Sequence, residues 1–186
     1  MGMTQRELQQ SLKSEALANH KRVAELARPL DPERLVRRPT PPGWSVGEVL
    51  EHLCVVDELY HTPLTALVAT ARPDAAAPAR EWHPTFFGRL IAGALGRPTK
   101  MKAPGKFKPG ESPRNRVVED FLARDSRLIA LMDDVASLDW RALRMSSPAL
   151  PVPIIRLNLG DVFKIHVVHV RRHLGQMERV VSGMKQ

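Results

Sequence analysis

NLGDVFKIHVVHVRRHLGQMERVVS, residues 158–182, reads as one long amphipathic helix that begins near Asn158 to Asp161 and runs to about Ser182. Val162, Met177 and Val180 share a face when each position is turned by about 100°. Three histidines share it too. His169 and His173 project about 40° apart, one turn above the other, and His166 lies within about 60° of His169. A helix of this length with an apolar face needs partners, and the rest of the chain supplies three more.

The first starts at Thr4, where Thr4-x-x-Glu7 matches a capping box, and Leu8, Leu12, Ala16, Val23 and Leu26 continue on a helical period until Pro29 and Pro32. The second opens with another capping box, Ser45-x-x-Glu48, and carries a wide apolar stripe through Val49, Leu50, Leu53, Val56 and Leu59. Pro63 should kink it or end it within a turn or two. Ser112-Pro113 fits an N-cap followed by a first-turn proline, so the third helix should start there, with Val117, Phe121, Leu128, Leu131 and Val135 on its apolar face.

Between the second and third lies a crossover, residues 72–112, made irregular by proline. Seven of the sixteen prolines fall between Pro73 and Pro113. A short helix fits Phe86 to Leu95, and Leu150 to Leu157 reads as briefly extended. Four helices with one long Pro-rich crossover describe an all-α four-helix bundle, and 186 residues make one domain spanning 1–186.

Composition narrows the function. Hydrophobic residues are 43% and charged residues 26% of the chain, an ordinary globular balance. One cysteine excludes a disulfide framework and a Cys-ligated zinc finger. The polar N-terminal stretch has no secretory h-region, and no apolar run approaches the roughly 20 residues that span a bilayer. The expectation is a cytoplasmic protein without a membrane partner. The net charge of +8 is densest from Arg97 to Lys108, but Phe107 stands alone there, so base stacking has no platform and nucleic acid is the least favoured partner. A small anionic molecule is better suited, with Lys100, Lys102 and Lys106 as candidate contacts.

The histidines point to chemistry. His169 and His173 face the core, and two imidazoles at i, i+4 bring nitrogens to a common point, a familiar metal-ligand spacing. On the second helix His52 lies between Val49, Val56 and Leu59 and faces inward as well, whereas His61 points to the surface. Two readings fit three inward imidazoles: core histidines each satisfied by a neighbour, or ligands sharing one ion. The clustering favours the ion. Three neutral nitrogens would leave a coordination position for water or substrate, the pattern of a catalytic site. Glu48, one turn before His52, is a candidate base, although the capping box already accounts for it. Cys54 lies off the His52 face and reads as a buried small hydrophobe. Trp82 and Trp140, in or beside connections, suit a pocket wall or a cap on the bundle.

Trp44-Ser45-Val46-Gly47-Glu48-Val49-Leu50-Glu51-His52-Leu53 resembles the W-S-x-x-E-x-x-x-H entry to helix two of the DinB/YfiT-like superfamily. His169-Val170-Arg171-Arg172-His173-Leu174-Gly175-Gln176 resembles its closing H-x-x-x-H-x-G-Q signature, and Ala103 to Pro109 has the character of the DinB_2 branch. The resemblance implies an up-down-down-up bundle with a divalent metal at one end of the core, held by His52, His169 and His173. Zn is the first expectation, with Ni, Mn and Fe as alternatives. Members commonly carry another histidine just before the closing one, where this chain has Arg172. His166 lies outside the pattern, which leaves it as a neighbour of the ligands, a core-edge residue or an alternative ligand. Relatives include transferases and isomerases that use mycothiol, bacillithiol or glutathione, along with metal-dependent hydrolases. The implied function is a metal-dependent enzyme that activates a low-molecular-weight thiol for transfer to an electrophilic small molecule. The alternatives are a hydrolase using metal-bound water and a non-catalytic metal- or ligand-binding bundle; a homodimer is compatible with any of them.

Overall fold

The computed structural model describes residues 2–40, 43–97, 103, 105–110, 112–148 and 155–184. Among the described residues are six α-helices and one short ribbon: α1 (Gln5–Ala27), α2 (Pro32–Val36), α3 (Val46–Ala69), α4 (Phe86–Leu95), α5 (Val117–Asp134), β1 (Arg144–Ser146), β2 (Arg156–Asn158) and α6 (Leu159–Gly183). The fold is mostly helical, as the sequence implies. The four long helices touch in a closed cycle, α1 on α6, α6 on α3, α3 on α5 and α5 on α1, while α4 lies along α6.

Local chemistry sets the helix starts. Thr4, Ser45 and Asn158 each accept a bond from the backbone N–H three residues on, and Glu7, Glu48 and Asp161 return one to the cap backbone. These reciprocal bonds satisfy donors that no helix turn can reach. Past Pro63, α3 continues to Ala69 and stops there. The short α2 was not expected; Asp31 caps it through Arg34 N–H with Pro32 in the first turn.

Helix α5 starts at Val117, not at Ser112-Pro113. The proline is used for packing, since a Cβ on Gly47 would meet Pro113 Cγ at 2.9 Å and Leu35 O at 3.0 Å. Beside it the Arg114 N–H and guanidinium both bind Glu51. The chain then turns through Arg116 in the left-handed region, φ 60, and enters α5 without a side-chain cap. A second departure is the antiparallel pairing of β1 with β2, Met145 opposite Leu157. The extended reading of 150–157 thus holds at its C-terminal end, while 150–154 lie outside the described residues.

Two apolar clusters fill the interior. One gathers Trp140, Phe163, Met132 and Leu157, with Trp82 packed into it; the other gathers Leu50, Phe121, Val23 and Met177. Both tryptophans are buried and hydrogen-bonded, Trp82 to Asn158 and Trp140 to the Val135 carbonyl, so they close the core between elements. Cys54 is fully buried, and burial pushes its thiol up to about 12, where it stays protonated. Among the described residues no helix is long and apolar enough to cross a membrane.

Candidate metal centre

Helices α3 and α6 bring His52, His169 and His173 together. The Nε2 atom of His169 stands 3.2 Å from that of His52 and 3.0 Å from that of His173. Two outer contacts fix the tautomers. His52 Nδ1–H donates to the Phe107 carbonyl, and His173 Nδ1–H donates to Gln176 Oε1 at 3.0 Å. With Nδ1 protonated on both, both Nε2 atoms carry lone pairs aimed at His169 Nε2. A single N–H on His169 can satisfy only one of them. A cation at the centre satisfies all three, and nitrogens about 2.0–2.1 Å from a tetrahedral ion lie roughly 3.3–3.4 Å apart, close to the spacings seen.

Electrostatics agrees with that reading. Burial lowers the pKa of His52 and, with the neighbouring imidazoles, drives that of His169 well below the usual value. Burial and the proximity of His52 bring His173 down to about 3, although the Gln176 bond works the other way. All three are neutral near pH 7, the state a ligand requires. Trp44 walls the cluster, its ring 5.0 Å from His52 and stacked at 6.3 Å with His173. Among the described residues no fourth His, Cys, Asp or Glu joins the three.

The other candidates sit differently. Glu48 is buried and both its oxygens are engaged, by the Ser45 N–H and the Arg38 guanidinium. Burial works to raise its pKa, yet Arg38 and Ser45 together hold it below the ordinary carboxylate value. A carboxylate so held is a weak base. Lys106 is exposed, with Nζ 5.5 Å from the Phe107 ring. Lys100 and Lys102 lie outside the described residues. His61 is exposed, as its helical position implies. Arg172 donates to the carbonyls of Leu95 and Arg97 and so clamps the end of α4.

His166 is not among the three. Its Nε2 binds Asp125 Oδ1 at 2.8 Å, while His20 Nδ1 binds Asp125 Oδ2 at 2.9 Å. Asp125, Gln176 and the Phe107 carbonyl are the contributors that sequence reasoning missed. Asp125 had a signal, an acid on the apolar stripe of α5 between Leu122 and Ile129, matched by His20 between Ala16 and Val23. Gln176 stands at i+3 from His173, within side-chain reach on a helix. A backbone carbonyl from a distant turn leaves no mark in a sequence.

A cavity of about 350 Å³ opens between α3, α5 and α6, and both His169 and His166 line it. Leu64, Leu128 and Ile165 make its walls apolar, while Tyr60, Arg124 and Arg127 add polar groups. It is large enough for a small molecule.

No curated protein and no solved structure matches the chain. A sequence model of the DinB superfamily does, over residues 16–177, from the middle of α1 to just past Gln176. That span covers most of the 186 residues and all three converging histidines: the chain belongs to the DinB superfamily.

Proposed function

We propose that His52, His169 and His173 hold a divalent ion, Zn in the first place, in a metal-dependent enzyme that transfers a low-molecular-weight thiol to an electrophile. The observation that carries the reading is the convergence of three Nε2 atoms, two of which, on His52 and His173, have their ring protons placed on Nδ1. When bound, such an ion lowers the pKa of a thiol or water at its remaining position and so supplies a nucleophile near neutral pH. The chain's own residues do the rest. The Phe107 carbonyl and Gln176 orient two of the imidazoles, Trp44 covers one side, and the cavity beside His169 receives the reactants. The cycle of helix contacts is compatible with the proposed four-helix bundle. Lys106, next to the residue whose carbonyl braces His52, is the proposed contact for the carboxylates of a thiol such as glutathione.

Elemental analysis of the untagged protein tests the site. One equivalent of metal in wild type and none in His169→Ala is the expected result, followed by chelator-sensitive consumption of a thiol and an electrophile. Wild-type protein that takes up no metal after incubation with Zn, Ni or Mn rules the enzyme reading out and leaves a ligand-binding bundle. Hydrolysis without thiol consumption would select the hydrolase.

A further inference from the structure

We infer that His166, held by Asp125, is the proton acceptor for the thiol in this site; the inference rests on the proposed thiol chemistry and adds a catalytic residue to it. The argument begins with a buried charge. Asp125 is 2% exposed, and burial raises its pKa, but the bonds from His166 and His20 more than offset that and hold it below the ordinary value. It is therefore a carboxylate, which only accepts hydrogen bonds. Both imidazoles must donate to it, His166 through Nε2–H and His20 through Nδ1–H.

That settles the tautomer of His166. With Nε2 protonated, Nδ1 carries the lone pair in the neutral ring. His166 lines the same cavity as His169, three residues away on α6, so a thiol in that cavity would lie beside its ring. Asp125 is the positioning residue. It fixes the ring and compensates the imidazolium that forms on proton uptake, the role a carboxylate plays behind a catalytic histidine. His20 bonds the other oxygen from α1 and is absent from the cavity lining. The other charged or titratable groups around the cavity are Asp57, Tyr60, His61, Arg124, Arg127 and Asp134; Arg124 is already paired with Asp57 and Glu58, and the Tyr60 hydroxyl with Ser147.

The step balances. The S–H bond of a thiol seated in the cavity breaks, its electron pair stays on sulfur, and the proton passes to His166 Nδ1. The sulfur pair then forms the S–C bond, the electrophile's bonding pair leaves with its leaving atom, and the Nδ1 proton follows it there. Glu48, engaged by Arg38 and Ser45, takes no part.

Zn-loaded protein titrated with N-acetylcysteine by calorimetry, in buffers of different ionisation enthalpy, counts the protons released per thiol bound. His166→Gln keeps an N–H donor for Asp125 but cannot take a proton, so it should release up to roughly one proton more than wild type at equal metal content. His20→Gln, which alters the same carboxylate from outside the cavity, should move the count less. In wild type alone, the ¹⁵N signals of His166 should show proton uptake at Nδ1 when the thiol binds, a readout independent of any variant. Equal proton counts in wild type and His166→Gln, with His166 neutral in the thiol complex, overturn the inference and leave the thiol site standing. Zn-loaded wild type that binds no thiol overturns both.

Discussion

Acid should unfold the metal-free protein well before its carboxylates titrate. His173 is 8% exposed and its pKa falls to about 3 in the folded chain, against about 6.5 for a free imidazole. Above pH ~6.5 neither state is protonated and stability is full; below it the unfolded chain takes up a proton that the folded chain refuses. The loss is about 1.4 kcal/mol per pH unit for each such group, or about 2 kcal/mol from His173 alone by pH ~5. His52 and His169 shift in the same direction and add to it. The window is clean on the acid side. Glu48, Glu51 and Asp125 have lowered pKa values, so their stabilisation is lost only as pH falls below the ordinary carboxylate range. Asp161, raised by burial, runs the other way, so wild type is best compared with His173→Gln. Urea unfolding of chelator-treated protein at about pH 7.5 and pH 5 should show a smaller loss in the variant by about 2 kcal/mol. Parallel losses in both proteins would refute the reasoning, because the buried imidazole would then not be the group that resists protonation.

Three further outcomes follow from named contacts. Arg114→Ala leaves Glu51, 7% exposed, without its guanidinium partner, and should cost about 3 kcal/mol in urea unfolding. Titration with Ni should quench tryptophan fluorescence through Trp44, whose ring lies 5.0 Å from that of His52, and Trp44→Phe should remove most of the quenching while retaining the metal. Phe107→Ala releases the buried anchor of the turn whose carbonyl holds His52, and should weaken Zn binding about 10–100-fold in competition with a chromophoric chelator.

The sequence showed the helices because their signals are local. Thr4-x-x-Glu7 and Ser45-x-x-Glu48 state their own hydrogen bonds, and the helical period carried the apolar faces between them. The same periodicity turned His52, His169 and His173 inward, and their meeting needed only that α3 and α6 touch. What failed was non-local. Ser112-Pro113 has the chemistry of a helix start, but Glu51 on α3 takes Arg114 and Gly47 admits Pro113, so the start moves to Val117. The β1–β2 pairing joins two three-residue segments, each too short to show an alternating pattern of its own. Asp125 was legible only as an anomaly, an acid where the stripe called for an apolar residue.

Helix α6 divides its polar side chains among three neighbouring helices. Its residues are sorted by direction: His169 and His173 meet His52, His166 turns to Asp125 on α5, and Arg172 turns to the end of α4. Arg172 Nη1 donates to the Leu95 and Arg97 carbonyls, tying α4 and the start of the basic segment to α6. The two ends of that segment are thereby both held near the histidines, one by Arg172 and the other by the bond from His52 to Phe107. Were an ion held by the three histidines, a four-coordinate shell would keep its fourth position for a reactant. Arg172 and His52 thereby tie the two ends of the basic segment to the helices that carry those histidines.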